Sequence, residues 1–362
     1  MKPLIVFVFI IYTTVAIDFQ CRDQRNNPVD WFVFYKIPRL KSSDNVIIQN
    51  GDAFIYFDSN YKQWTLSNVG MVSKDQPIAY TLQQYYDNSN NPEVFSIMYS
   101  DQLPYPRNGT WSSTSGHCKG VTVFSETSGF WLIHSIPKFP RNDTYEYPSN
   151  AHRYGQMGIC ISLPYAALSY IATQLYFMRP FIYSASLPTI IASNIPLLGM
   201  VIAGRYQMER PFTSTAYLLT TQNHPFIHFA KAGLFGKDIY FDLIAPSLRV
   251  SLKTETWQHQ SGTSKNLFSW CRSPNPYQVF NAKQVTLPFN ITFPNYDDHA
   301  KYAVATDTQG GFSYPWVCIG GINRQSHQLE RGGGVLCTAD AQLYAAFSTI
   351  ISEYWPCRGS EM

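Results

Sequence analysis

Charge is scarce in this chain. Asp, Glu, Lys and Arg make up only 14% of its 362 residues, which excludes a highly charged, disordered polypeptide. No pair of its cysteines has the C-x-x-C spacing, which argues against a zinc ribbon or a thioredoxin-like redox site. Beyond the N-terminus there is no uninterrupted apolar run long enough to cross a bilayer, which takes about 20 residues. The nearest, Ala185 to Gly204, is broken by Pro188, Asn194, Pro196 and two serines, and it reads as buried core. No cluster of carboxylates with metal-ligand spacing stands out. Asp297-Asp298-His299 is acidic and carries an imidazole, yet no second ligand group accompanies it, so neither a metal nor a cofactor is expected.

What is present is apolar and aromatic. Hydrophobic residues are 45% of the chain and Phe, Trp and Tyr 16%, a composition suited to a β-rich or mixed fold with a large core. The N-terminus has the layout of a signal peptide over residues 1–16: Lys2, a short apolar run from Leu4 to Tyr12, then small residues at Thr14-Val15-Ala16. The alternative, a membrane anchor, requires a longer run. Three sequons follow, at Asn108, Asn142 and Asn290. With seven cysteines (Cys21, Cys118, Cys160, Cys271, Cys318, Cys337 and Cys357), they point to a glycosylated protein of an oxidising compartment, secreted or lysosomal. The odd count leaves at least one thiol unpaired within the chain, and spacing alone does not give the connectivity. Formal charge is +3 at pH 7 with eight histidines neutral. Acid would charge those histidines and make a polyanion a natural partner.

Short strand-like runs dominate the first third: Val29–Tyr35, Ala53–Phe57, Val121–Phe124 and Phe130–Ile136. Helices are expected over Pro164–Arg179 and Gln342–Tyr354. Two segments echo each other. His117-Cys-Lys119 precedes an apolar run, a turn with Gly129 and a second run with Trp131. His299-Ala-Lys301 precedes Tyr302–Ala305, a turn with Gly310-Gly311 and a run with Trp316. Two-residue spacing on a strand places His and Lys on one face and sends Cys118 to the other. Two related α/β halves of similar size, facing each other, are therefore expected.

These motifs resemble those of the deoxyribonuclease II family. The resemblance rests on Pro28–Pro38, Gly116-His-Cys-Lys-Gly120, Gly129–Pro137 with His134, Tyr154-Gly-Gln156, Phe229-Ala-Lys231, Asp298-His-Ala-Lys301, Trp316-Val-Cys318, Asn323-Arg324 and Arg331-Gly-Gly-Gly334, in that order. It covers the chain from about Cys21 to Cys357. It implies a mixed α/β fold of two phospholipase-D-like halves, a pseudo-dimer around one cleft, with the halves at 17–165 and 166–362 and the whole acting as a monomer. It also implies metal-independent endonucleolytic hydrolysis of double-stranded DNA in acid, leaving 3′-phosphate ends. The wider superfamily carries an Asp five residues after each Lys. Here those positions are Phe124 and Thr306, a departure that deoxyribonuclease II shares. The resemblance further implies the pairings Cys21–Cys160, Cys271–Cys357 and Cys318–Cys337, with Cys118 free.

The chemistry fits these residue types. A metal-free site must supply positive charge and protons from side chains. One neutral histidine attacks phosphorus, a second, protonated, gives its proton to the leaving oxygen, and two lysines hold the non-bridging oxygens. His117, Lys119, His299 and Lys301 are the candidates; the resemblance favours His117 as nucleophile and His299 as acid. His134 matches a further family histidine that would orient a catalytic group or touch phosphate. Asn323, Glu330 and Arg331 are candidate substrate contacts: Asn323 as a donor to phosphate, Glu330 orienting a histidine, Arg331 with its glycines bringing backbone N–H groups close. The bland readings are a polar loop and a tight turn. Two other functions remain open on sequence: a phosphodiesterase acting on phospholipid or RNA, and a DNA-binding or toxin-like protein of the same fold without catalysis.

Overall fold

The computed structural model describes residues 17–106, 112–259, 262–271, 276–306 and 314–357. The proposed signal segment, the Asn108 sequon and the Gly310-Gly311 turn lie outside them.

Two large sheets form the frame. In spatial order the first contains Ile182–Ser186, Phe95–Ser100, Lys119–Phe124, Ser128–His134, Gln156–Pro164, Trp31–Lys36, Phe54–Asp58 and Thr65–Leu66, antiparallel throughout. The second runs Thr213–Leu219, Pro225–Lys231, Gly333–Thr338, Val317–Gly320, Tyr302–Ala305, Leu252–Glu255, Val279–Leu287 and Ile291–Pro294. Ile351–Trp355 also pairs with Val279–Leu287, and Leu252–Glu255 pairs with Val279–Leu287 in parallel. The fold is the expected mixed α/β one, with two sheet-based halves.

Alternation along the strands explains the layers. In Trp31–Lys36, Trp31, Val33 and Tyr35 enter one buried cluster while Phe32 and Phe34 enter another. Both faces of this strand are apolar because both are covered, which is why it reads as a continuous hydrophobic run. The first cluster lies between the sheets and is shared by them: Trp31 meets Phe226 edge-on at 6.2 Å, and Tyr35 meets Tyr302 at 5.9 Å. The helix Leu168–Met178 packs in this layer against Thr213–Leu219, Pro225–Lys231 and Gly333–Thr338. The helix Pro77–Asp87 supplies Ile78 and Leu82 to the outer core of the first sheet, and Tyr240–Leu248 closes the outer face of the second.

Three expectations change in detail. The segment after Pro164 begins as a 3₁₀ turn, Tyr165–Ala167, before the α-helix starts at Leu168. The second helix covers Ala341–Ser348 and then stops; Ile351–Trp355 becomes a strand, because its backbone finds a partner in Val279–Leu287 and tertiary pairing outweighs local preference. Ala185–Gly204 is not buried core. It continues an edge strand into two short helices, Thr189–Asn194 and Pro196–Ile202, that bury only Ile191, Leu198 and Val201. Among the described residues no helix is long and apolar enough to cross a membrane.

The disulfides are Cys21–Cys160, Cys271–Cys357 and Cys318–Cys337, with Cys118 a buried free thiol. Asn142 and Asn290 are exposed.

Candidate active site

The two His-x-Lys segments sit at the starts of strands rather than within them. Lys119 is the first residue of Lys119–Phe124, and Lys301 immediately precedes Tyr302–Ala305. The alternation argument holds for the middle residues: Cys118 and Ala300 both point into the shared core. Each histidine is thereby left at a strand mouth, and both His117 and His299 line one cleft of about 1080 Å³ between the halves.

Each motif is held by the opposite half. The His117 amide donates to the Gly332 carbonyl at 2.8 Å, and its Nδ1 is hydrogen-bonded to the Gly321 carbonyl. The His299 amide donates to the Gly155 carbonyl at 2.9 Å, and its Nδ1 lies 3.1 Å from Gln156 Oε1, which also accepts from Ser135 Oγ at 2.6 Å. Carbonyl oxygens only accept, so Nδ1 carries the proton in both rings, and in the neutral tautomer Nε2 keeps its lone pair.

The charges differ between the two sides. Asp101, just past the strand Phe95–Ser100, is bound by Lys119 Nζ and lies 3.7 Å from His117 Nε2 and 3.5 Å from Arg331 Nη1. Lys119, with His117 and Arg331, holds its carboxyl far below the usual range despite burial. Beside Lys301, Asp298 accepts from Tyr35 Oη and from the Ala300 amide at 2.9 Å. Burial outweighs these bonds and raises its carboxyl to about 6. Glu255, bound by Asn295 and close to Asp298, is pushed well up by burial as well.

Burial drives His117 and His299 well below the ordinary imidazole value, and neighbouring lysines push the same way. Burial also lowers Lys301 strongly. These influences favour uncharged imidazoles. An incoming phosphodiester, being anionic, reverses that bias.

The remaining candidates fall at different depths. Asn323 is buried at the cleft wall, with its Oδ1 lacking a partner among the described residues, and Glu330 is exposed at the rim. Arg331 clamps the backbone of the other half, donating to Ser115 O at 2.9 Å, Ser112 O at 3.0 Å and Gly116 O at 3.1 Å. The glycines after it allow close approach: a Cβ on Gly332 would stand 2.3 Å from the Met178 carbonyl, and one on Gly334 would meet His228 at 2.4 Å. His134 is not at the cleft surface. It is buried against Phe139, ring centroids 5.4 Å apart, and burial lowers it to about 3. Among the described residues no three His, Cys, Asp or Glu side chains converge as metal ligands do.

Sequence reading missed Asp101, Arg179 and Trp257, all cleft residues. Asp101 carries no motif; it reaches Lys119 only because Ser100 pairs with Lys119 across adjacent strands. Gln156 was visible only as part of Tyr154-Gly-Gln156.

The chain matches the family described as Deoxyribonuclease II over residues 20–357. Cell death-related nuclease 6 of Caenorhabditis elegans is 48% identical, covering 94% of this chain and 89% of that protein. Deoxyribonuclease-2 of the same organism is 37% identical over 98% of both chains. Deoxyribonuclease-2-beta of Mus musculus is 35% identical over 94% of this chain and 93% of its own length.

Proposed function

The chain belongs to the deoxyribonuclease II family, and from that premise we propose that it is an endonuclease that hydrolyses DNA phosphodiesters in the cleft between its two halves. One observation carries the mechanism: His117 and His299, from different sheets, line the same cleft with lysines beside them. The scissile phosphate lies between the two Nε2 atoms. His117 attacks phosphorus and forms a phosphohistidine, while His299, protonated, gives its proton to the departing oxygen. His299, now neutral, then takes a proton from water, whose oxygen displaces His117 and leaves a 3′-phosphate. Lys119 and Lys301 hold the non-bridging oxygens, so the positive charge comes from the chain itself and no metal takes part. Asn323 and Arg331 border the phosphate path.

The acid requirement follows from the charge balance. Burial and the lysines lower both imidazoles, so the protonated partner is lost as pH rises and recovered as it falls. Cleavage should be faster at roughly pH 5 than at pH 7, the former lying below the free imidazole value. Three disulfides support an oxidising compartment for this activity, secreted or lysosomal.

The test is plasmid nicking at acid pH with a chelator present, followed by end-group analysis. Cutting that leaves 3′-phosphates supports the reading. Activity that disappears with chelator and returns with magnesium overturns the metal-free mechanism.

A further inference from the structure

The cleft wall beside His299 is a pile of rings that this chemistry does not use. Trp257 lines the cleft and meets the His299 ring at 69°, centroids 4.9 Å apart. Its indole lies flat on His259, at 3.8 Å and 11°, and His259 in turn lies on Tyr296, at 3.5 Å and 29°. Tyr154 buttresses the base of the pile with its edge, 4.6 Å from Trp257, and carries the Arg153 guanidinium 4.8 Å above its own ring. The middle ring is pinned: His259 Nε2 is 2.5 Å from the Tyr296 carbonyl, and Gln325 Nε2 donates to the His259 carbonyl at 2.6 Å. Tyr296, the outermost ring, is 58% exposed.

Ring spacings of this size match the ~3.4 Å step of stacked bases. A flat ring already fixed on one face accepts another ring with little further loss of freedom. Tyr296 is also only three residues before His299, so the pile runs outward from the reacting phosphate to solvent. The bases of an intact duplex are stacked on each other and offer no free face. The fitting ligand is an unpaired base, in a single strand or at a frayed end.

We propose that Trp257, His259 and Tyr296 form a nucleobase platform, onto which an unpaired base of the DNA strand stacks while a neighbouring phosphate lies between His117 and His299. This rests on the nuclease reading above. Stacking is indifferent to base identity, so the platform would hold short single-stranded products without imposing a sequence.

The test is cleavage of short single-stranded oligonucleotides in which one abasic site is moved along the chain. For the full protein, one abasic position near the cut should raise KM roughly 5- to 100-fold, the worth of one base–aromatic stack, with kcat little changed. Tyr296→Leu should show the same loss on the intact oligonucleotide and no further loss at that abasic position. Tyr296→Phe should behave as the unaltered protein. Equal abasic penalties in the unaltered and Tyr296→Leu proteins at every position overturn the platform while leaving the nuclease intact. Failure to cut any oligonucleotide or duplex in acid overturns the nuclease reading and the platform with it.

Discussion

His117 and His299 occupy corresponding places in the two halves, yet their surroundings are unlike. His117 faces an ionised carboxylate, Asp101, at 3.7 Å from its Nε2. The polar partner of His299 is neutral, the Gln156 amide at Nδ1, and beside it stand the Trp257 ring and positive neighbours. Two copies of one motif thus receive different proton affinities from residues outside the motif. Asp101 raises the affinity of His117 against burial and Lys119, whereas no carboxylate is among the main influences on His299. A double displacement needs such asymmetry, because one imidazole must be neutral when the other is charged.

The largest effect tests whether the two sides act as one unit. Changing His117 or His299 to Ala should lower single-turnover cleavage in acid by roughly 10²–10⁴-fold, the worth of general acid catalysis, or more where the nucleophile is lost. The double variant should be little worse than the poorer single one, since groups acting together are not additive. Circular dichroism serves as the folding control. A folded His299→Ala variant with near-normal rate would remove the two-histidine mechanism.

Smaller effects should come from editing the asymmetry itself. Asp101→Asn removes a charge-assisted contact of ~1.5–3 kcal/mol, so the rate should fall roughly tenfold or more. The acid limb of the pH profile should also move to lower pH, because the influence raising His117 is gone. Gln156→Glu places a carboxylate beside His299 and makes the sides alike; it should move a limb to higher pH. If both variants leave the profile in place, the carboxylate and the amide are structural supports only.

The smallest effect is on stability and concerns the carboxylate beside Lys301. Asp298 is raised to about 6 by burial, above the ~3.9 of an unfolded chain. A raised carboxyl contributes stability that is fully present below the unfolded value and is lost as pH rises through the folded one. Asp298→Asn, which cannot ionise, should therefore gain on the unaltered protein between pH 4 and pH 7, on the order of 2–3 kcal/mol. Denaturant unfolding at the two pH values measures it. A difference between the proteins that does not change with pH would refute the assignment.

The meeting of His117 and His299 in one cleft and the free Cys118 were legible because they are tied to local patterns: a His-x-Lys pair, an ordered series of family motifs, an odd cysteine. The helix over Leu168–Met178 was legible for a similar reason, being bounded by proline. The strand Ile351–Trp355 was not, since a short apolar run does not reveal whether a pairing partner waits elsewhere. Asp101 escaped notice because its meaning depends on a strand register.

What the sequence by itself determined is therefore the candidate set of reactive groups and the alternation that buries Cys118. What only the tertiary structure decided is how those groups are held and charged. The Gly332 and Gly321 carbonyls hold His117, and the Gly155 carbonyl and Gln156 amide hold His299, each from the opposite half. Hydrogen bonds and Coulomb interactions act through space over a few ångströms, and burial depends on what the other sheet covers. Neither distance nor burial exists until the halves have docked.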